Sequence, residues 1–151
     1  MNGWLLDTNV IAELARVGGD ARVSAWAAAA DENCLYISVL TLGEYDKGIA
    51  NLPDESPARA RIEASVAALE ARFADRVLDV SDPIVRRWGR ISGAVQRASG
   101  RPPPVIDTLL AATAIEYDLC LVTRNVRDVD ASGATLLNPW ENDAAEFPSP
   151  L

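Results

Sequence analysis

Short apolar runs alternate along the chain with longer stretches in which apolar residues recur every three or four positions, a pattern of buried strands followed by amphipathic helices. Gly3 to Leu6 is the first such run, and Asp7-Thr8-Asn9 then offers three residues that all cap helices before VIAELA begins. A helix is predicted over Ala21 to Ala30, and a strand over Leu35 to Val39 with Ser38 near its end. Thr41 opens a further helix toward Ala50. Pro53, Ser56 and Pro57 mark a loop, after which Ile62, Val66, Leu69 and Phe73 form one apolar helical stripe, for which core packing is the default.

Arg76 to Val80 reads as a short strand, and Ser81-Asp82-Pro83 as a helix start leading into Ile84, Trp88, Ile91 and Val95. The prolines of SGRPPP end that helix and predict an extended approach through Val105-Ile106 to Asp107, from which TLLAATAIEY continues as a helix. Its alanines permit close packing on a sheet. Leu119 to Thr123 and Ala134 to Leu137 are the last strands, and an acidic, proline-containing tail begins at Asn138. Strands and helices in this alternation define an α/β chain: a three-layer α/β/α fold with an open, mainly parallel sheet.

Composition narrows the chemistry. At 151 residues and 49% hydrophobic content the chain fits one compact domain. Histidine is absent, which excludes an imidazole triad, a histidine-ligated zinc and a histidine phosphorelay. The two cysteines, Cys34 and Cys120, sit beside strand residues as small buried thiols rather than as a disulfide framework. No run approaches a membrane span and no basic leader precedes an apolar stretch, so a cytoplasmic protein without membrane contact is expected. A net charge of -8 argues against a broad basic face coating nucleic acid. Nucleic acid stays open as a substrate, because an acidic metal site recruits phosphate through its cation. Lys47 is the only lysine among the 14 basic residues, and the arginines can grip phosphate bidentately, although codon bias in a GC-rich genome is the simpler account of the arginine excess.

Four polar positions stand where strand-like runs give way to helices: Asp7, Glu44, Asp107 and Asn125. Taken singly, each has a structural reading. Asp7 is as good a helix cap as a ligand, Thr41-Leu42-Gly43-Glu44 matches a capping box, Asp107 favours a helix start, and Asn125 suits a turn. Taken together, they fall at positions that open parallel sheets bring to one crevice. Carboxylates gathered there repel unless a divalent cation or a shared proton relieves them.

The strings WLLDTNVIAEL, SVLTLGEYDKGI, DTLLAATAIEYDLCLVTRNVRDV and LLNPW resemble those of PIN-domain ribonucleases, specifically the VapC and FitB-like toxins of bacterial toxin–antitoxin pairs. The resemblance implies a PIN-like nuclease domain over residues 1–140, with 141–151 as a C-terminal tail, and a pocket in which Asp7, Glu44 and Asp107 hold Mg2+ or Mn2+ and cleave RNA. The family often carries a fourth acid where this chain has Asn125, and Asp128, one turn on, is a candidate substitute. Thr8, Ser38, Thr123 and Arg124 are candidate contacts to waters or to the substrate. A homodimer and a cognate antitoxin are the implied partners.

Other readings are weaker. A catalytically weakened PIN-like module that binds RNA or antitoxin rests on Asn125 alone. A receiver-like phosphoacceptor needs a lysine after a late strand, where none occurs. A haloacid-dehalogenase-type phosphatase needs an acid two residues after Asp7, where Asn9 stands.

Overall fold

The computed structural model describes residues 1–141. Its element order is β1 (Trp4–Leu6), α1 (Thr8–Ala15), α2 (Ala21–Ala29), β2 (Leu35–Ser38), α3 (Val39–Ala50), α4 (Ala58–Arg72), β3 (Val77–Leu78), α5 (Asp82–Ser99), α6 (Val105–Glu116), β4 (Cys120–Val122), α7 (Val126–Val129) and β5 (Leu136–Leu137). The five strands pair in parallel in the order β3-β2-β1-β4-β5. Trp4 is in register with Leu35 on one side and Cys120 on the other.

The period-two alternation of strands sorts their side chains between two cores. Trp4, Leu6, Leu35, Ile37, Cys120 and Val122 pack with Val10, Val23, Trp26, Leu69 and Phe73 on the face covered by α1, α2 and α4. Leu5 and Leu121 point the other way, against Leu110, Ala111 and Ala114 of α6 and Val129 of α7. The small alanines of α6, all buried, let its backbone sit close to the sheet. The three-layer α/β/α arrangement with a parallel sheet is therefore present, and its central strands β1 and β4 are buried on both faces.

Several local boundaries differ from the sequence expectation. Helix α3 begins at Val39 because Ser38, fully buried, accepts from the Leu40 N–H at 3.0 Å. Thr41 is therefore an interior residue, not a cap. The capping-box reading of Glu44 falls with it. Val105 and Ile106 are helical rather than extended, which puts Asp107 in the first turn of α6. Proline at 104 suits that start, since it has no N–H to leave unsatisfied. Of the stripe on α4, Leu69 and the capping residue Phe73 are buried, whereas Ile62 and Val66 are half-buried. Cys34 is half-buried, and burial pushes the Cys120 thiol up to about 12. Beyond Glu141, the expected C-terminal tail lies outside the described residues.

Crossovers from β1 to β2 and from β2 to β3 build outward on one side of β1, and the connection through α5 and α6 returns to place β4 on its other side. That reversal opens a crevice beyond the carboxyl ends of β1 and β4, the position at which open α/β sheets bind ligands.

Candidate active site

Asp7 leaves β1 directly into this crevice. Its N–H donates to the Val122 carbonyl at 3.0 Å, which extends the β1–β4 pairing by one residue and fixes where its side chain emerges. Its carboxylate accepts from the Thr8 N–H at 2.6 Å, the Thr123 hydroxyl at 2.7 Å and the Asn9 amide at 3.2 Å. Asp7 is thus both the α1 cap and a buried acid at the sheet's switch point. Loss of hydration raises its pKa, an effect that the three hydrogen bonds partly offset.

Glu44 sits one turn into α3 and reaches α1. The Thr8 hydroxyl donates to its Oε1 at 2.8 Å and lies 3.1 Å from the Thr41 hydroxyl. With a single proton committed to Glu44, Thr8 must accept from Thr41, so the three groups form a directed chain. Asp107 arrives from the start of α6. Burial, then the charges of Asp7, Asp128 and Glu44, push its carboxyl up to about 6, with the Asn125 side-chain amide opposing part of that rise. One carboxyl therefore feels all the other acids proposed for the site, including the substitute Asp128, which α7 carries against α6. Among the described residues no arginine or lysine pairs with any of the four.

The remaining candidates divide. Thr123, buried at the end of β4, donates to Asp7 and accepts from the Asn125 N–H at 3.0 Å. Asn125 is the residue before α7 and faces Asp107. Arg124 is exposed, lies over the Trp140 ring at 5.0 Å and donates its N–H to Asn9 Oδ1 at 3.4 Å. Ser38 is brought into the fold as a buried cap that accepts from the Leu40 N–H, and among the described residues it makes no hydrogen bond to the acidic side chains. Asn9 and Thr41 hold site residues without having been singled out for that. Their signals were present, since Asn9 lies two residues past Asp7, and Thr41 lies one turn before Glu44 on the same helical face.

The donor set is all oxygen: four carboxylates, threonine hydroxyls and an amide. That set suits a hard divalent cation, and the charge crowded around Asp107 is what such a cation relieves. Among the described residues no group of three or more acids lies close enough together to hold a metal ion as the side chains stand. Beside Glu44 runs a groove of about 810 Å3, lined by Val39, Leu40, Gly43, Lys47, Asn51 and Ile106.

The chain is thus an all-parallel α/β/α domain with acidic side chains at its switch point. Residues 4–131 match the model of the PIN domain, and the chain belongs to that family. It is 33% identical over 137 residues to the plasmid stability protein StbB of Pseudomonas syringae pv. tomato, covering 91% of this chain and 98% of that protein. It is 30% identical over 141 residues to the toxin FitB of Neisseria gonorrhoeae, covering 91% and 99%. The VapC ribonuclease Y4jK of Sinorhizobium fredii is 33% identical over 141 residues, covering 91% and 97%. Among solved structures, FitAcB from Neisseria gonorrhoeae superposes with a TM-score of 0.80 at 29% identity, over 92% of this chain and 99% of that one. A toxin–antitoxin complex from Klebsiella pneumoniae superposes at 0.61 over 93% and 100%; its 22% identity bears on the fold alone.

Proposed function

We propose that this chain is an endoribonuclease that hydrolyses RNA phosphodiester bonds with Mg2+ or Mn2+, and that it is the toxin of a toxin–antitoxin pair. The observation that carries the reading is the placement of Asp7 at the β1/β4 switch point, with Glu44 hydrogen-bonded to the neighbouring Thr8 and Asp107 under the charges of Asp7, Asp128 and Glu44. The PIN domain match and the ribonuclease and toxin names of its relatives support it.

Asp7, Asp107 and Glu44 would hold the cation, which when bound polarises the scissile phosphate and offsets charge developing on its oxygens. The chain's own residues do the rest. Thr123, Asn9 and the α1 N-terminus lock the Asp7 carboxylate in one orientation. The Thr41–Thr8–Glu44 chain aims one Glu44 oxygen and leaves the other free to take a proton from an attacking water. Attack by water rather than by the ribose 2′-hydroxyl gives 5′-phosphate and 3′-hydroxyl ends. Residues 1–140 are the proposed nuclease unit and 141–151 its tail, acting in the cytoplasm as a homodimer neutralised by a cognate antitoxin.

The rival, a weakened binding module, rests on Asn125. Asp128 weighs against it, because its charge acts on Asp107. Purified protein incubated with mixed RNA and Mg2+, Mn2+ or EDTA tests the reading. Cleavage that needs metal, leaves 5′-phosphates and is lost in Asp7→Asn with less than about 1 kcal/mol change in stability supports it. Cyclic phosphate ends, or undiminished cutting by Asp7→Asn, would sink it.

A further inference from the structure

The chain is acidic overall, yet its charge is segregated. From Pro83 to Ile106 there is no acidic residue, while Arg86, Arg87, Arg90, Arg97 and Arg101 all fall within this stretch. Two of the five are engaged in ion pairs, Arg86 with Asp82 at 2.9 Å and Arg87 with Glu116 at 2.6 Å. Arg90, Arg97 and Arg101 are exposed, and among the described residues their guanidinium groups have no ion-pair or hydrogen-bond partner.

The placement is directional. At 100° per residue, Arg86, Arg90 and Arg97 lie within roughly 40° of one another on α5, spread over about 16 Å of helix. Gly89, Gly93 and Ala94 occupy exposed positions between them, and a Cβ added at Gly89 or Gly93 would meet nothing within 4 Å. Gly100, at φ 79°, ends the helix in the left-handed conformation. Arg101 and three prolines, of which Pro103 is buried, then lead straight into α6. Arg101 is six residues from Asp107, which bounds their separation at about 20 Å. The stripe thus points its C-terminal end at the acidic site.

We propose that this arginine face of α5, continued by Arg101, grips the sugar–phosphate backbone of single-stranded RNA as the substrate extends from the acidic site. The inference rests on the nuclease reading. At the 3.4 Å per-strand rise of a stacked duplex, about 16 Å corresponds to roughly five nucleotides. Arginine, planar and always charged, suits backbone phosphate without reading base identity. An acidic site by itself repels the strand it must cut, so a local cationic track away from the chemistry supplies the attraction that the net charge of -8 withholds.

The test compares the full chain with Arg90→Gln/Arg97→Gln/Arg101→Gln and with a control, Arg61→Gln on α4. It measures anisotropy binding of a labelled 20-nucleotide single-stranded RNA in EDTA across a salt series, Mg2+-dependent cleavage of that RNA and of a trinucleotide, and solution mass. With about 0.7 of salt slope per phosphate contact, the triple variant should bind about a hundredfold more weakly at 0.1 M salt, with a slope shallower by about 2. Its cleavage of the long RNA should fall, while trinucleotide cleavage and the melting temperature hold. Wild-type cleavage with unchanged binding by the triple variant overturns the track and leaves the nuclease standing. Binding that depends on the stripe without any cleavage keeps the track and removes the nuclease. A change of solution mass in the triple variant assigns the face to contact between copies and overturns the proposal.

Discussion

Replacing Asp107 by Asn should make the metal-free protein more stable at neutral pH, although it removes a residue proposed for catalysis. The carboxyl titrates at about 6 in the folded chain against an ordinary 3.8, pushed up first by burial and then by Asp7, Asp128 and Glu44. The folded state thus holds the Asp107 proton more tightly than the unfolded state, and stability is lost as pH rises from 3.8 through 6. At about 1.4 kcal/mol for each factor of ten, the ceiling is about 3 kcal/mol, which solvent screening of a half-buried group reduces to about 1–2 kcal/mol. An aspartate in the first turn of a helix also gains about 0.5 kcal/mol from the dipole, which the amide forfeits. The net expectation is that Asp107→Asn gains about 1 kcal/mol at pH 7.5 in EDTA and nothing below pH 4, read from urea denaturation at five pH values. Adding millimolar Mg2+ should reverse the order, because wild type alone then gains binding free energy. A variant less stable than wild type at pH 7.5 in EDTA, or a difference that does not vary with pH, refutes the reasoning.

Thr8→Val removes the hydroxyl that orients Glu44 and should lower kcat about tenfold with little effect on KM, while Thr8→Ser restores it; single-turnover cleavage decides between this and a purely structural role. Asn125→Asp adds a charge facing Asp107. It should lower the Mg2+ concentration needed for half-maximal cleavage severalfold while destabilising the protein in EDTA, so an unchanged metal titration would remove Asn125 from the site. Gly3→Ala places a Cβ against the Cys34 carbonyl oxygen at the β1–β2 edge, and chemical denaturation should show a loss of about 3 kcal/mol or more.

The alternation of elements was legible because each strand here is a run of apolar residues that needs burial on both faces, a property of local composition. Leu5-Leu6, Leu35-Tyr36-Ile37 and Cys120-Leu121-Val122 announce themselves in this way. The candidate acids were legible as positions, since Asp7 and Asn125 follow strands and Asp107 precedes a small-residue helix. What Glu44 does was not legible. Thr41-Leu42-Gly43-Glu44 satisfies the capping-box pattern, and only the packing of α3 against α1 shows that Ser38 is the cap and that Thr8, 36 residues away, is the partner of Glu44.

The sequence by itself determined the alternation of the main strands and helices and that no imidazole chemistry is available, because these depend on periodicity and residue identity within a few turns, although it left out the short helix α7 and read Val105-Ile106 as extended. The tertiary structure decided that β4 returns beside β1, that Thr123 bonds Asp7 across 116 residues, and that Asp128 adds its charge to Asp107. Those outcomes depend on the order in which strands pair. That order is settled by burying both faces of the sheet at once, a condition on the whole chain rather than on any segment of it.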